Sequence, residues 1–211
     1  MNAEPARRLP SADEENAKRR QILEGARRVF LTRGFDAASM GEIARAAGVS
    51  KGTLYVYFEN KEQLFEAIVH EECADQAEQV FQFDPAEHDV AAVLTRLGVA
   101  FVNFICRPEK GSSLRTVIAI ADRMPEIGRR FYETGPAVGI GRLADYLRAQ
   151  VDAGVLRVED CEVAAAQFVD ACQSTLFKPM IFNFGTPPTP ERIAHVVGVA
   201  VRTFMAAYAA R

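Results

Sequence analysis

The stretch from Ser39 to Lys61, SMGEIARAAGVSKGTLYVYFENK, leaves this chain few ways to fold. Ser39 and Glu42 stand at capping-box spacing: the serine oxygen takes a free backbone N–H and the glutamate reaches back to the cap. Met40, Ile43, Ala44 and Ala47 then recur on one face of a helix. Gly48 suits the left-handed residue that ends a helix. Val49 is a small apolar plug after the bend, and Ser50 is a good N-cap for a second helix over Lys51–Tyr57. Asn60 and Gln63 repeat the capping-box pattern and start a third. The spacing predicts two short helices around a tight turn.

The second of these helices has an unusual outer face. Leu54 and Phe58 lie four residues apart and can face a core. Gly52, Thr53 and Val56 point roughly the other way, with Tyr55 and Tyr57 on the flanks. A face meant for water would carry Glu, Lys and Gln. Small residues, hydroxyls and one lysine suit a helix that lies in a DNA groove with its N-terminal end toward the base edges. The free N–H groups and positive dipole of such a helix start also suit phosphate.

The run GFDAASMGEIARAAGVSKGTLYVYFENKEQLFEA resembles the DNA-binding domain of TetR-type (tetracycline-repressor-like) bacterial regulators, over Arg19–Val69. The resemblance combines an upstream helix ending in Phe30 and Gly34-Phe35, a small turn, and SKGTLYVYF followed by NKE. Downstream, MPEIGRRFYETGPAVGIGRLADYLRAQVDAGVL looks like the ligand-binding region of AcrR/AefR-like members. The resemblance implies an all-α chain, with an N-terminal helix-turn-helix domain and a larger C-terminal helical domain for ligand binding and dimerisation. It implies a homodimeric transcriptional regulator, a repressor, that binds a near-palindromic operator in double-stranded DNA. Ser39, Tyr57 and Lys61 are expected on phosphate. Ser50, Lys51, Gly52, Thr53 and Tyr55 are expected in or at the major groove, with Thr53 and Tyr55 touching base edges or a thymine methyl.

Net charge is −3 over 211 residues, which does not advertise nucleic-acid binding. Its distribution does. Lys18 to Phe58 holds eight Lys/Arg against three acids, a charge of +5, so the rest of the chain sums to −8. A basic face on an acidic body limits non-specific binding. The start is polar, with no apolar leader segment, and the apolar stretch Ile193–Ala210 is interrupted by His195 and Arg202, so neither a secretory signal nor a membrane span is expected and the location is cytoplasmic. Cys73, Cys106, Cys161 and Cys172 are widely spaced, show no C-x-x-C pair, and read as buried or incidental thiols in a reducing compartment; a redox sensor has no spacing signal behind it.

Along the chain, residues 1–14 read as a disordered tail containing Arg7 and Arg8, residues 15–69 as the DNA-binding domain, and 70–211 as the helical ligand-binding and dimerisation domain. About nine helices are predicted. They cover Glu15–Arg33, the two short helices, and Lys61 toward Phe81. Then come Ala86–Cys106, Ser112–Arg123, a long Glu126–Ala153 kinked or locally broken at Pro136, Glu159–Leu176 and Pro190–Ala209. Phe177–Thr189 is a Pro-rich connector.

No group carries a catalytic or metal expectation, and no cofactor is expected. Gly139-Ile140-Gly141-Arg142-Leu143-Ala144 matches a dinucleotide pattern, but it lies in helical sequence, where small residues permit close packing. His70, His88 and His195 lack metal-ligand spacing. Phe101, Phe104, Phe131 and Phe168, with Asp122 and Asp170, are the candidates for a ligand cavity. Taken singly, each phenylalanine reads as core. An excess of apolar residues implies a hydrophobic or aromatic effector. The last helix is apolar over most of its circumference and must be covered; the resemblance implies a four-helix bundle with a second subunit, for which Ala164, Ala171, Val197, Val201, Phe204 and Met205 are the candidates. Two other classes compete: a DNA binder without an effector, which would lack the cavity, and a helical enzyme or carrier, which would not bind duplex DNA.

Overall fold

The computed structural model describes residues 12–210; of these, the side chains of 12, 72–79, 108, 109 and 112 are outside the description. The expected tail through residue 11, with Arg7 and Arg8, and the Cys73 side chain therefore lie outside the described residues. The chain is all-α, with eleven helices and no strand among the described residues. Leu156 and Ala209 form an isolated antiparallel bridge. The chain divides into two compact units, 1–68 and 69–211.

In the first unit, α1 (Ala12–Ala37) starts earlier than expected, within the span read as tail. Asp13, Glu14 and Glu15 occupy its first turn, where carboxylates meet the positive end of the helix dipole. Gly34 interrupts α1 at φ 76°, ψ 167°, a conformation an L side chain rarely adopts. That break turns Phe35 back onto Phe30 and Phe65, with ring centroids 5.3–5.6 Å apart. Then follow α2 (Met40–Ala47), α3 (Lys51–Tyr57) and α4 (Lys61–Val80), whose later turns belong to the second unit. Ile22, Ile43, Leu54 and Leu64, one from each helix, have no exposed surface.

The second unit contains α5 (Val90–Ile105), α6 (Pro108–Ile120), α7 (Pro125–Thr134), α8 (Pro136–Asp152), α9 (Cys161–Gln173), α10 (Phe177–Ile181) and α11 (Pro190–Tyr208). Two of these raise the count above nine. The Gly135-Pro136 step divides the long predicted helix into α7 and α8, because proline lacks the N–H that would continue the ladder. The Pro-rich connector contains the single-turn α10. α5 starts at Val90 rather than Ala86, because the Asp89 carboxylate takes the Ala92 N–H and fixes the cap there. α6 starts at Pro108, which is pre-shaped for a first helical position.

Gly98 of α5 lies where α9 and α11 converge: an added Cβ would meet Val197 Cγ1 at 2.7 Å and Cys172 Sγ at 3.0 Å. Gly139 does the same for Phe81, whose ring would lie 2.9 Å from such a Cβ. The glycine-containing run of α8 is thus a packing seam at Gly139, whereas Gly141 has open space beside it.

Gly25 separates α1 from α2 by almost nothing: an added Cβ would fall 2.6 Å from the Ala47 Cα, Cβ and N. On an exposed helix Gly→Ala stabilises by roughly 1 kcal/mol. Here the obstacle is backbone, so Gly25→Ala is expected to reverse that sign and destabilise by about 1–3 kcal/mol, read as a fall in thermal midpoint.

Candidate functional site

The two short helices are held by local bonds at every end. Ser39 Oγ accepts from the Glu42 N–H at 3.2 Å, and the Glu42 carboxylate accepts from the Ser39 N–H at 3.2 Å. The Ser39 hydroxyl also donates to that carboxylate at 2.8 Å, which is the main reason the Glu42 pKa is lowered; Arg33 and Arg45 lower it further. A carboxyl shifted down contributes stability above its unfolded pKa and loses it as pH falls through the folded value. The box therefore operates at neutral pH and fails only in acid. Gly48 closes α2 at φ 65°, and its N–H returns to the carbonyls of Ala44 and Arg45. Ser50 Oγ accepts from the Thr53 N–H at 3.0 Å and meets the Thr53 hydroxyl at 2.8 Å.

These caps orient α3. Leu54 and Phe58 are buried, while Lys51, Gly52, Tyr55 and Val56 are exposed and Thr53 and Tyr57 half-buried. The Lys51 side chain folds back over α2, where a Cβ on Gly41 would strike its Cε at 3.0 Å. The ammonium therefore lies beside the first turn of α2, whose backbone N–H groups carry a partial positive charge. An ammonium and a helix start together suit a phosphate.

Lys61, expected on phosphate, is occupied within the unit. Its Nζ donates to the carbonyls of Phe35, Asp36 and Ala38 at 2.9, 3.0 and 3.3 Å and lies 4.7 Å from the Phe35 ring centroid. An ammonium has three hydrogens, and each has a carbonyl. The reason is the Gly34 break, which leaves the carbonyls after it without helical partners. Arg28 and Gln21, also on α1, bond the last carbonyls of α2, at Ala46 and Ala47 (2.6 Å each).

The second unit holds a cavity of about 460 Å³. Phe101 and Phe104 of α5, Phe131 and Tyr132 of α7, and Phe177 of α10 line it, with Asp170, Gln173 and Lys110 among its polar groups. Two expected residues are elsewhere. Phe168 is 2 % exposed and packs edge-on against Phe204, 5.7 Å between centroids, in the core between α9 and α11. Asp122 is exposed on the α6–α7 turn. Phe81, Leu114, Ile140 and Ala166 line the cavity and were missed; the Pro136–Ile140 stripe on α8, four residues apart, was the available signal.

Other side chains singled out for chemistry have packing roles. His88 Nδ1 meets Gln150 Oε1 at 2.8 Å, and Gln150, fully buried, also donates to the Pro85 carbonyl. Cys106, Cys161 and Cys172 are buried free thiols; burial pushes Cys172 up to about 12, far from a reactive thiolate.

Two family models cover most of the chain: bacterial regulatory proteins of the tetR family over residues 22–68, and the C-terminal domain of AefR-like transcriptional repressors over 92–210. The chain belongs to the TetR family. It is 30% identical to the HTH-type transcriptional repressor Rv1474c of Mycobacterium tuberculosis over 196 residues, 90% of this chain and 95% of that one. A crystal structure of a TetR-family regulator from Mesorhizobium loti superposes with a TM-score of 0.85 at 27% identity, over 92% of this chain and 98% of that one. The flavonoid-responsive regulator FrrA superposes with a TM-score of 0.78 at 30% identity, over 93% and 99%. The protein is thus a TetR-type, DNA-binding transcriptional repressor, not an enzyme. No described helix is long and apolar enough to cross a membrane.

Within this TetR chain, four residues expected between subunits are buried in their own. Ala164, Val197, Val201 and Phe204 pack against α5, α8 and each other, because α11 turns its most apolar face to α5 and α9. Ala171 and Met205 are half-buried at the edge of that core. The faces left outside carry Val163 on α9, and Ala194, His195, Val199, Arg202 and Ala206 on α11.

The two lysines are expected to separate in their effects. Lys51→Ala should weaken operator binding by about 1–3 kcal/mol with an unchanged melting temperature. Lys61→Ala should lower the melting temperature, because it strands the carbonyls of Phe35, Asp36 and Ala38. Fluorescence anisotropy and thermal melts on the same preparations check both.

Proposed function

We propose that this repressor is a homodimer that holds a near-palindromic operator and lets go when a small hydrophobic or aromatic molecule enters the second unit. The observation that carries the effector is the cavity of about 460 Å³ walled by phenylalanine and tyrosine rings. Its volume suits a drug-sized ligand, and its rings favour stacking with a planar aromatic body. The flavonoid response in the name of FrrA supports that class. The DNA contacts we assign are Ser50, Gly52, Thr53 and Tyr55 in or at the major groove, with Tyr57, Lys51 and the N-terminal turn of α2 at Ser39 on phosphate. Its site of action is the cytoplasm, with its DNA.

The homodimer rests on the outward faces of α9 and α11. Val163 and Val199 are 50% and 43% exposed, large apolar side chains amid small ones. The effector signal we assign to α4, the helix that starts in the first unit and ends in the second. Twenty residues of helix span roughly 30 Å, so a small tilt at one end displaces the other. Coupling is the effector's preference for the DNA-incompetent arrangement.

Titration of a selected operator duplex with a panel of aromatic compounds tests the reading. A true effector is expected to lower operator affinity by about 1–3 kcal/mol. Leu114→Trp, which fills the cavity, should abolish the response and leave DNA binding intact. Operator affinity unchanged at saturating concentration of a compound shown by calorimetry to occupy the cavity would rule the coupling out.

The interface is checked by a pair of substitutions. Val199→Glu places a charge on an exposed face and is expected to give folded monomers in sedimentation. Val201→Glu buries a carboxylate without a partner, at a cost of several kcal/mol, and is expected to unfold the second unit.

A further inference from the structure

Val56 is 82% exposed, more than any other large hydrophobic side chain among the described residues. It adds nothing to the core of its unit, to which Leu54 of α3 and its C-cap residue Phe58 contribute, 0% and 6% exposed. A β-branched residue also disfavours so short a helix, and Lys or Glu would serve better in water. Its neighbours on the same face are Gly52 and Thr53, one turn earlier. An added Cβ on Gly52 would meet nothing nearer than Ser50 Oγ at 3.7 Å, so the outer surface there is bare backbone facing open space. The strip from Gly52 to Val56 is therefore low, apolar at its far end and able to approach a flat surface closely. It spans four residues of helix, about 6 Å, close to the rise of two base pairs.

Base edges in the major groove are donors and acceptors, with one apolar exception: the C5 methyl of thymine. We propose that Val56 reads a thymine, its isopropyl group seated on that methyl, and that bare Gly52 sets how deeply α3 enters the groove. Polar neighbours cannot substitute for this contact. The Thr53 hydroxyl is shared with Ser50 Oγ, and the Lys51 chain is drawn back over Gly41. Each half-site then contains one position where thymine is required because of its methyl group, not its hydrogen-bonding edge.

The test exploits a base that differs from thymine by that methyl alone. A duplex selected by the wild-type protein is resynthesised with each thymine replaced singly by deoxyuridine, and affinities are measured for wild type and Val56→Ala. One replacement per half-site is expected to weaken wild type by about fourfold, the partition of one methyl group out of water. Val56→Ala should bind the parent duplex more weakly by a similar factor or more, and should be indifferent to that same replacement. Its melting temperature should match wild type, since the side chain is exposed, so lost affinity cannot be charged to lost fold. The proposal is overturned if no thymine replacement affects wild type, or if Val56→Ala keeps wild-type sensitivity to every replacement. A wild-type chain that selects no duplex overturns it together with the DNA-binding assignment, whereas selection without methyl sensitivity overturns it alone.

Discussion

Three phenylalanine rings hold the first unit together. Phe30 and Phe35 come from either side of the Gly34 break, and Phe65 comes from α4. Phe35 meets Phe30 across a break in the helix at Gly34, whose φ of 76° is one an L side chain rarely adopts. That break leaves the carbonyls of Phe35, Asp36 and Ala38 without helical donors, and Lys61 takes all three while its charge lies over the Phe35 ring. The start of α4 is thereby tied to the end of α1. The α2–α3 pair is positioned between them, with Gly25 against Ala47 and the α1 side chains Gln21 and Arg28 on the α2 carbonyls. The orientation of α3, and of the face we assign to DNA, depends on this small aromatic core.

The second unit solves a different problem. Its apolar side chains form one buried cluster and, at its edge, the wall of a cavity. Around Gly98 the helices α5, α9 and α11 approach so closely that even a methyl group would not fit, and there the contacts are dense. Toward α7 and α10 the same α5 stands away from its neighbours, and rings line a cavity instead. Phe101 stands at the join, edge-on to Phe81 at 5.8 Å and exposed to the cavity. Voids in close-packed interiors cost stability, so a cavity of this size is compatible with a fold that gains energy when a ligand fills it.

Much of the first unit was legible because its determinants are local. Caps at Ser39 and Ser50, the left-handed Gly48 and the Gly34 stop each act over a few residues. Asn60 shows the limit of such readings: its side chain takes the Gln63 N–H as expected, yet Gln63 reaches back one residue further, to the Glu59 N–H. The Lys61 position was legible as important but not as to purpose, since its partners lie over twenty residues away. In the second unit the Gly135-Pro136 step reads as a kink or a local break and is a break, and Pro108 both ends one helix and begins the next. A single proline imposes the same local restriction in each case; what the flanking chain does depends on packing.

By itself, the sequence determined that the chain is helical, that residues 39–61 form a turn between two short helices, and which side of α3 is core. Those follow from short-range sterics, capping and helical period. Tertiary structure decided which apolar face meets what. Val201 and Val199 lie two residues apart on one apolar helix, and periodicity cannot say which belongs inside. The answer comes from the position of α5, brought within reach of Val197 by the missing side chain of Gly98. Phe104 and Phe168 likewise look alike in sequence, but one lines a cavity and the other fills the core. Hydrophobicity fixes that a side chain leaves water, not which neighbour replaces it, and that choice is made by helices far apart along the chain.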